Sequence, residues 1–270
     1  MKLGVFLPCL RIPVLAEALD TVAALGLEGA QLWNVGGPFD PSVMGEAERE
    51  RLLEEFSRRG LEISALCGHA DFVNPSGLPT RRAHFMACLD LAASLGGLPV
   101  TTESGRPAPE TGPEVAWQVL TVTFRDFARH AEEVDATVCI EAGPRTLVRT
   151  IADLERLLEE VDSSALAVNL DPANLVMAGE DPVEAVRRLG PAIAHTHAKD
   201  GVVRADGSHG EVPLGDGQVP WKEYLGALKA VGFEGYLTIE RETGDDPRAD
   251  IELAATRLRQ YLAEVEGEAG

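Results

Sequence analysis

The chain has 270 residues, 45% of them apolar, and a formal charge of −20 from 44 acidic against 24 Lys and Arg side chains. That apolar fraction argues against disorder, and the length gives one large core enough material. The negative surface opposes nucleic acid and anionic membranes as partners, and no run of 18 apolar residues offers a membrane span. Cys9, Cys67, Cys88 and Cys139 are scattered with no C-x-x-C pair, which excludes a zinc knuckle or redox motif. Cys67 and Cys139 sit in apolar runs and read as reduced core residues. The N-terminal apolar run is interrupted by Pro8 too early for a secretory signal, so a cytoplasmic protein is expected.

The predicted elements alternate strand and helix. Leu3 to Leu7 reads as a strand, and Val14, Leu15, Ala18, Val22 and Leu25 recur at helical spacing up to Gly26. Gly29 to Asn34 is a second strand, followed by an acidic helix from about Gly45 to Arg59 expected to bury Leu52, Leu53 and Phe56. Leu61 to Cys67 is the third strand. A loop to Leu78 carries His69 and Asp71, and the helix Thr80 to Leu95 turns Phe85, Met86 and Leu89 inward. Gly97 to Thr102 is a weaker strand, and the proline-bearing loop Glu103 to Pro113 leads into a long helix from Glu114 to Glu133. The second half repeats the theme: strands Thr137 to Glu141, Leu166 to Asp171, Ile193 to Lys199 and Gly235 to Glu240, with helices Ile151 to Val161, Pro182 to Leu189, Pro220 to Val231 and Pro247 to Val265. Asp200 to Val219 reads as a long polar loop whose Gly210 to Gly217 portion suits a mobile lid. Eight strand-helix units without a linker predict one domain over residues 1–270, a (β/α)8 TIM barrel. The competing open doubly wound sheet would want a G-x-G-x-x-G after the first strand, where the chain reads Leu7-Pro8-Cys9-Leu10.

Three strands end on an acid, Glu141, Asp171 and Glu240, and one carries His195 and His197 on one face. An acid closing an apolar strand is costly unless it is paired, solvated or metal-bound. In a barrel all these ends converge on one mouth. Glu141, Asp171, His197 and Glu240 thus predict a site for one divalent ion, Mn²⁺, Mg²⁺, Co²⁺ or Zn²⁺, with no thiolate to favour a soft metal.

The segments Ala194-His195-Thr196-His197-Ala198-Lys199-Asp200, Pro213-Leu214-Gly215-Asp216-Gly217, Asp171-Pro172-Ala173-Asn174 and Thr238-Ile239-Glu240 resemble the xylose isomerase-like barrel superfamily, in particular its sugar phosphate isomerase/epimerase group. The likeness covers nearly the whole chain. It implies the same four metal ligands, with manganese favoured. It also implies an isomerase or epimerase that removes a proton from a small polyhydroxylated ketose through a metal-stabilised enediolate. In such epimerases two glutamates flank the substrate, and the resemblance puts these catalytic roles on Glu141 and Glu240. Many members carry a second histidine three residues after the strand-six Asp. This chain has Asn174, which can hydrogen-bond a hydroxyl but cannot act as an imidazole acid or base.

Around the centre, His69, Trp33, Asn34, Arg145, Asn174, Lys199, Glu211 and Arg241 are the candidate substrate-binding residues. Lys199 would offset the carboxylates. Arg241 would bind a substrate anion or balance Glu242 and the acidic turn Gly244-Asp245-Asp246, the second being preferred. The expected partner is a small sugar, with an oligomer left open. Three other readings stay open: an inosose-type dehydratase on the same metal, an endonuclease IV-like nuclease, which the charge and the six histidines oppose, and a non-catalytic sugar-binding protein.

Overall fold

The computed structural model describes residues 1–267. Its strands are β1 (Lys2–Phe6), β2 (Gly29–Trp33), β3 (Glu62–Cys67), β4 (Pro99–Glu103), β5 (Thr137–Glu141), β6 (Leu166–Leu170), β7 (Ile193–Ala198), β8 (Asp200–Val203), β9 (His209–Val212) and β10 (Tyr236–Ile239). All but β8 and β9 pair in parallel, each with its sequence neighbour, and β10 closes the ring between β7 and β1. Closure pairs both edges of every barrel strand, which removes the liability of an open edge. The predicted (β/α)8 barrel is therefore what the chain forms.

The helices α1 (Leu15–Ala24), α2 (Glu46–Ser57), α3 (Leu78–Ser94), α4 (Pro113–Val134), α5 (Ile151–Val161), α6 (Pro172–Ala178), α7 (Pro182–Leu189), α8 (Trp221–Ala230) and α9 (Pro247–Gly267) follow from the same pattern. In α5, Thr150 accepts from the Asp153 backbone N–H and the Asp153 carboxylate accepts from Thr150 N–H, a reciprocal cap. Ile151, Leu154, Leu157 and Val161 then form the buried stripe of that helix. Two expected core residues face water instead. Leu53 is 42% and Val14 49% exposed, because α2 turns Leu52 and Phe56 inward and Val14 lies before the first turn of α1.

Phe72, in the loop after β3, is fully buried among Phe85 of α3 and Phe124 and Phe127 of α4, with ring centroids 5.0–6.0 Å away. Burying one such ring stabilises the fold by about 3 kcal/mol. It also anchors the loop that carries His69, together with Phe72 N–H donating to Ser104 O at 3.1 Å.

The expected lid is in part a built element. β8 and β9 form an antiparallel hairpin, with Asp200 opposite Val212 and Val203 opposite His209. The second half of that loop is tied down by Asp200, buried and just beyond β7. Its carboxylate accepts from the backbone N–H groups of Gly201 (2.9 Å), Gly215 (2.8 Å), Gly217 (3.3 Å) and Val219 (3.2 Å), and from Trp221 Nε1 (2.9 Å). A Cβ at position 217 would lie 1.9 Å from Asp200 Oδ1, so only glycine fits there. The short helix α6 was also not read from sequence. It starts at Asp171, whose side chain caps it by accepting from Ala173 N–H (2.8 Å) and Asn174 N–H (3.0 Å).

Candidate metal centre

At the C-terminal mouth, Glu141 ends β5, Asp171 follows β6, His197 lies in β7 and Glu240 follows β10. One ligand atom from each lies within 4.8 Å of all the others, and all four residues are buried. The Nδ1 of His197 is 3.4 Å from Glu141 Oε2 and 3.3 Å from Glu240 Oε2. Asp171 uses Oδ1 as the helix cap, while its buried Oδ2 has no hydrogen-bond partner. An orphaned carboxylate oxygen beside two further carboxylates and an imidazole makes a donor set suited to a divalent cation. The residues fit one divalent metal.

The charges explain each other. Burial and the nearby Glu141 and Glu240 carboxylates, against the pull of Lys199, push Asp171 up to about 7. His197, opposed by burial but faced by Glu240 and Glu141, is pushed up to about 9. Glu240 is drawn down to about 2, because Lys199 and His197 outweigh its burial. Lys199 Nζ donates to Glu240 Oε2 at 2.8 Å and Glu242 Oε2 at 3.1 Å, and lies 3.7 Å from the orphan Asp171 Oδ2. The expected balancing of carboxylates by Lys199 is realised in these contacts.

A chain of hydrogen bonds sets the imidazole. Thr101 Oγ1 donates to Leu66 O (3.4 Å) and accepts from Gln31 Nε2 (2.8 Å), which leaves Gln31 Oε1 to accept from His197 Nε2 at 2.9 Å. In the neutral imidazole, the form a metal requires, Nε2 keeps the proton it donates to Gln31 and Nδ1 turns a lone pair to the carboxylates. Gln31 was missed in the sequence. Its signal was a polar residue amid the apolar β2 run, fully buried in the fold. Asn169 Nδ2 likewise donates to Glu141 Oε2 (2.5 Å), and Asn174 Nδ2 donates to Glu141 Oε1 (2.8 Å). Asn174 therefore orients a metal-site carboxylate. The other strand histidine, His195, is an interior neighbour of His197, with ring centroids 5.8 Å apart.

Above the cluster opens a cavity of about 590 Å³, lined among others by His69, Glu103, Asn174, Lys199 and Met177 and by the exposed Arg106 and Arg145. Its size suits a small molecule. His69 lines it with Nε2 3.8 Å from Glu141 Oε2 and without a hydrogen-bond partner, and burial lowers its proton affinity. Glu103, expected to open a loop, is the last residue of β4, in register with Glu141. Burial and the Glu141 charge push it up to about 7, a protonatable carboxyl that the sequence did not reveal.

Four of the residues expected to touch substrate have partners within the fold. Asn34 donates from Nδ2 to Phe39 O (2.7 Å) and accepts at Oδ1 from Cys67 N–H (3.2 Å), so it fastens two loops. Arg241 pairs with Glu211 (3.0 Å) and Asp250 (2.7 Å). That arrangement is a balancing role, but with partners other than Glu242 and the turn at 244–246, and it also occupies Glu211. Trp33 donates from Nε1 to Val35 O (2.7 Å), and its ring lies edge-on to Phe6 and His69, forming an apolar wall beside the site. All four cysteines are free and buried. Among the described residues no helix is long and apolar enough to cross a membrane.

A closed eight-stranded parallel barrel with a buried carboxylate and histidine cluster at its mouth defines a metal-dependent enzyme of the sugar isomerase-like kind. Residues 19–261 match the Xylose isomerase-like TIM barrel family, and the chain belongs to it. It is 26% identical over 259 residues to the uncharacterized protein YfiH of Bacillus subtilis (strain 168), covering 85% of this chain and 76% of that one. It is 24% identical over 277 residues to an inosose dehydratase of Geobacillus thermodenitrificans (strain NG80-2), covering 93% and 89%. Inosose dehydratases recur among its relatives, one of them from Lacticaseibacillus casei, matched over 53% of its length. In fold it superposes on a solved D-tagatose 3-epimerase-like protein with a TM-score of 0.82 at 20% identity, over 100% of both chains.

Proposed function

We propose that this chain is a divalent-metal-dependent lyase that eliminates water from a small polyhydroxylated ketone. The observation that carries this reading over an epimerase is the unequal standing of the two flanking glutamates. Glu240 is ion-paired to Lys199 at 2.8 Å, whereas Glu141 meets two neutral amides and the His197 imidazole, whose pull against burial lowers it too but which is no permanent ammonium charge. A carboxylate drawn well below its ordinary range by an ammonium group is a poor base, and inversion by two opposed bases needs two competent ones. Elimination needs one base and one acid. The recurrence of inosose dehydratases among the relatives supports the same choice.

Glu141, Asp171, His197 and Glu240 would hold the ion, with Mn²⁺ expected. A divalent cation at that position supplies Lewis-acid polarisation of the substrate carbonyl. The chain provides the remainder. His69, neutral and with Nε2 unpartnered on the cavity wall, accepts the proton from the carbon next to the carbonyl. Glu103, protonated near neutral pH, donates to the departing hydroxyl. Lys199 keeps Glu240 and Glu242 from repelling the developing negative charge.

Incubation with inososes, simple ketoses, hydroxylated keto acids and ketose phosphates in the presence of Mn²⁺, Mg²⁺, Co²⁺ or Zn²⁺ tests the reading, with product followed by ultraviolet absorbance and by proton NMR in D₂O. Formation of an unsaturated or deoxy product, lowered about 100-fold or more in His69→Asn, is the expected result. Inversion at carbon without loss of water would overturn it in favour of the epimerase. That second reading draws on Glu141 and Glu240 both approaching His197 Nδ1, at 3.4 and 3.3 Å.

A further inference from the structure

Most of the cations in this acidic chain are engaged. Lys199 and Arg241 at the mouth are held by Glu240, Glu242, Glu211 and Asp250. Two cavity-lining arginines are different. Arg106, in the loop after β4, and Arg145, in the loop after β5, both line the cavity above the metal centre. Among the described residues, neither guanidinium has an ion-pair or hydrogen-bond partner. Their loops are fastened together, since Leu147 N–H donates to Gly105 O at 2.9 Å and Val148 N–H to Ser104 Oγ at 3.0 Å. The two forks therefore stand on one joined rim.

The acids that share the cavity do not neutralise them. Glu211 is taken by Arg241, Glu242 by Lys199, and Asp71 accepts from Val73 and Asn74 backbone N–H groups at 3.0 and 2.9 Å. Glu103 lies deeper, at the end of β4, with its carboxyl beside Gly143.

We infer that Arg106 and Arg145 form an oxyanion-binding rim, and that the substrate carries a carboxylate or phosphate at the end remote from its reacting carbonyl. Guanidinium groups match such planar or tetrahedral oxyanions through paired N–H donors. A chain of charge −20 repels anions at long range, so capture of an acidic substrate requires a local cation of this kind. The same rim fixes orientation. An anionic end is attracted to the outer arginines and repelled by Glu141, Asp171 and Glu240 below, so the uncharged carbonyl end faces the metal centre. This inference rests on the active-site reading of the cavity and narrows its substrate class from neutral sugars to hydroxylated keto acids or sugar phosphates.

Binding alone tests it, without turnover. Mg²⁺-loaded protein is titrated calorimetrically, at fixed ionic strength, with malonate, inorganic phosphate and neutral erythritol. The wild-type chain is expected to bind at least one of the two anions saturably and erythritol not at all. Arg106→Gln/Arg145→Gln should weaken anion binding at least tenfold. Arg149→Gln/Arg248→Gln, the same charge change at exposed positions outside the cavity, should leave it within twofold. The tighter of the two anions names the source, carboxylate or phosphate. Absence of saturable binding to the wild type, equal affinity in the rim variant, or an equal loss in the control pair would each overturn the inference. Loss of elimination activity with intact anion binding would remove only the lyase reading, and the converse would remove only the rim.

Discussion

Gln31→Leu isolates what the interior hydrogen bonds contribute to the metal centre. Gln31 is not itself one of the four proposed metal ligands, yet its Oε1 is the acceptor for His197 Nε2 at 2.9 Å, in a place where both residues are at most 1% exposed. Leucine keeps the volume and removes that acceptor. A buried donor left without a partner costs about 1–3 kcal/mol. In a chain somewhat larger than 150–250 residues, about 2 kcal/mol lowers the melting temperature by roughly 4–8 °C at most. The larger signature is in metal affinity. Loss of the partner that orients a ligating histidine weakens binding about 10–100-fold, or about 1.4–2.8 kcal/mol at 1.4 kcal/mol per tenfold. The assay is calorimetric titration of chelator-stripped protein with Mn²⁺, beside a thermal melt. Gln31→Glu serves as rescue, because a carboxylate still accepts from Nε2 and the Thr101 hydroxyl can turn to donate to it. A Gln31→Leu protein that binds Mn²⁺ within twofold of wild type would refute the argument that the amide sets the imidazole.

Stability of the metal-free protein should fall as pH rises from about 6.5, above which the lowered His69 and His195 no longer oppose it, to 9. Asp171 and Glu103 are both pushed up to about 7, so between roughly pH 4 and 7 the folded chain holds more protons than the unfolded one and loses stability as they leave. His197, pushed up to about 9, stabilises fully below about pH 6.5 and loses that contribution as pH rises through 9. Glu141 and Glu240 are lowered and act only at more acidic pH, where their stabilisation is lost. Melting curves across this range test the slope. Saturating Mn²⁺ should flatten it, Glu103→Gln should remove part of it below pH 7, and a melting temperature that climbs with pH would contradict it. Asp200→Ala leaves five donors in the 201–221 region without their acceptor. It should cost about 3 kcal/mol or more and expose the loop at 213–219 to limited proteolysis, with Asp200→Asn milder because it retains an oxygen acceptor.

Much of the molecule was legible in one dimension. The barrel follows from eight apolar runs alternating with helical stripes, because strand and helix periodicities are local properties of the chain. The cluster of Glu141, Asp171, His197 and Glu240 was legible too, since a charge that closes an apolar strand is conspicuous by its cost, and a barrel brings all such ends to one mouth. What sequence could not supply was the identity of each polar group's partner. Arg241 had acids on both sides in the chain, yet it chose Glu211 and Asp250, which the hairpin and α9 carry to it. Asn34 lay at a strand end like a contact residue and is consumed by backbone groups. Gln31 and His197 are 166 residues apart and meet only because closure places β2 and β7 around one interior. Glu103 and Arg106 sat in a loop without periodicity, where nothing local distinguishes a solvated charge from one facing a cavity. Sequence by itself determined which residues carry charge and which face of each element is apolar. Tertiary structure alone decided which charges meet, because hydrogen bonds and ion pairs act over a few ångströms of space and are blind to separation along the chain.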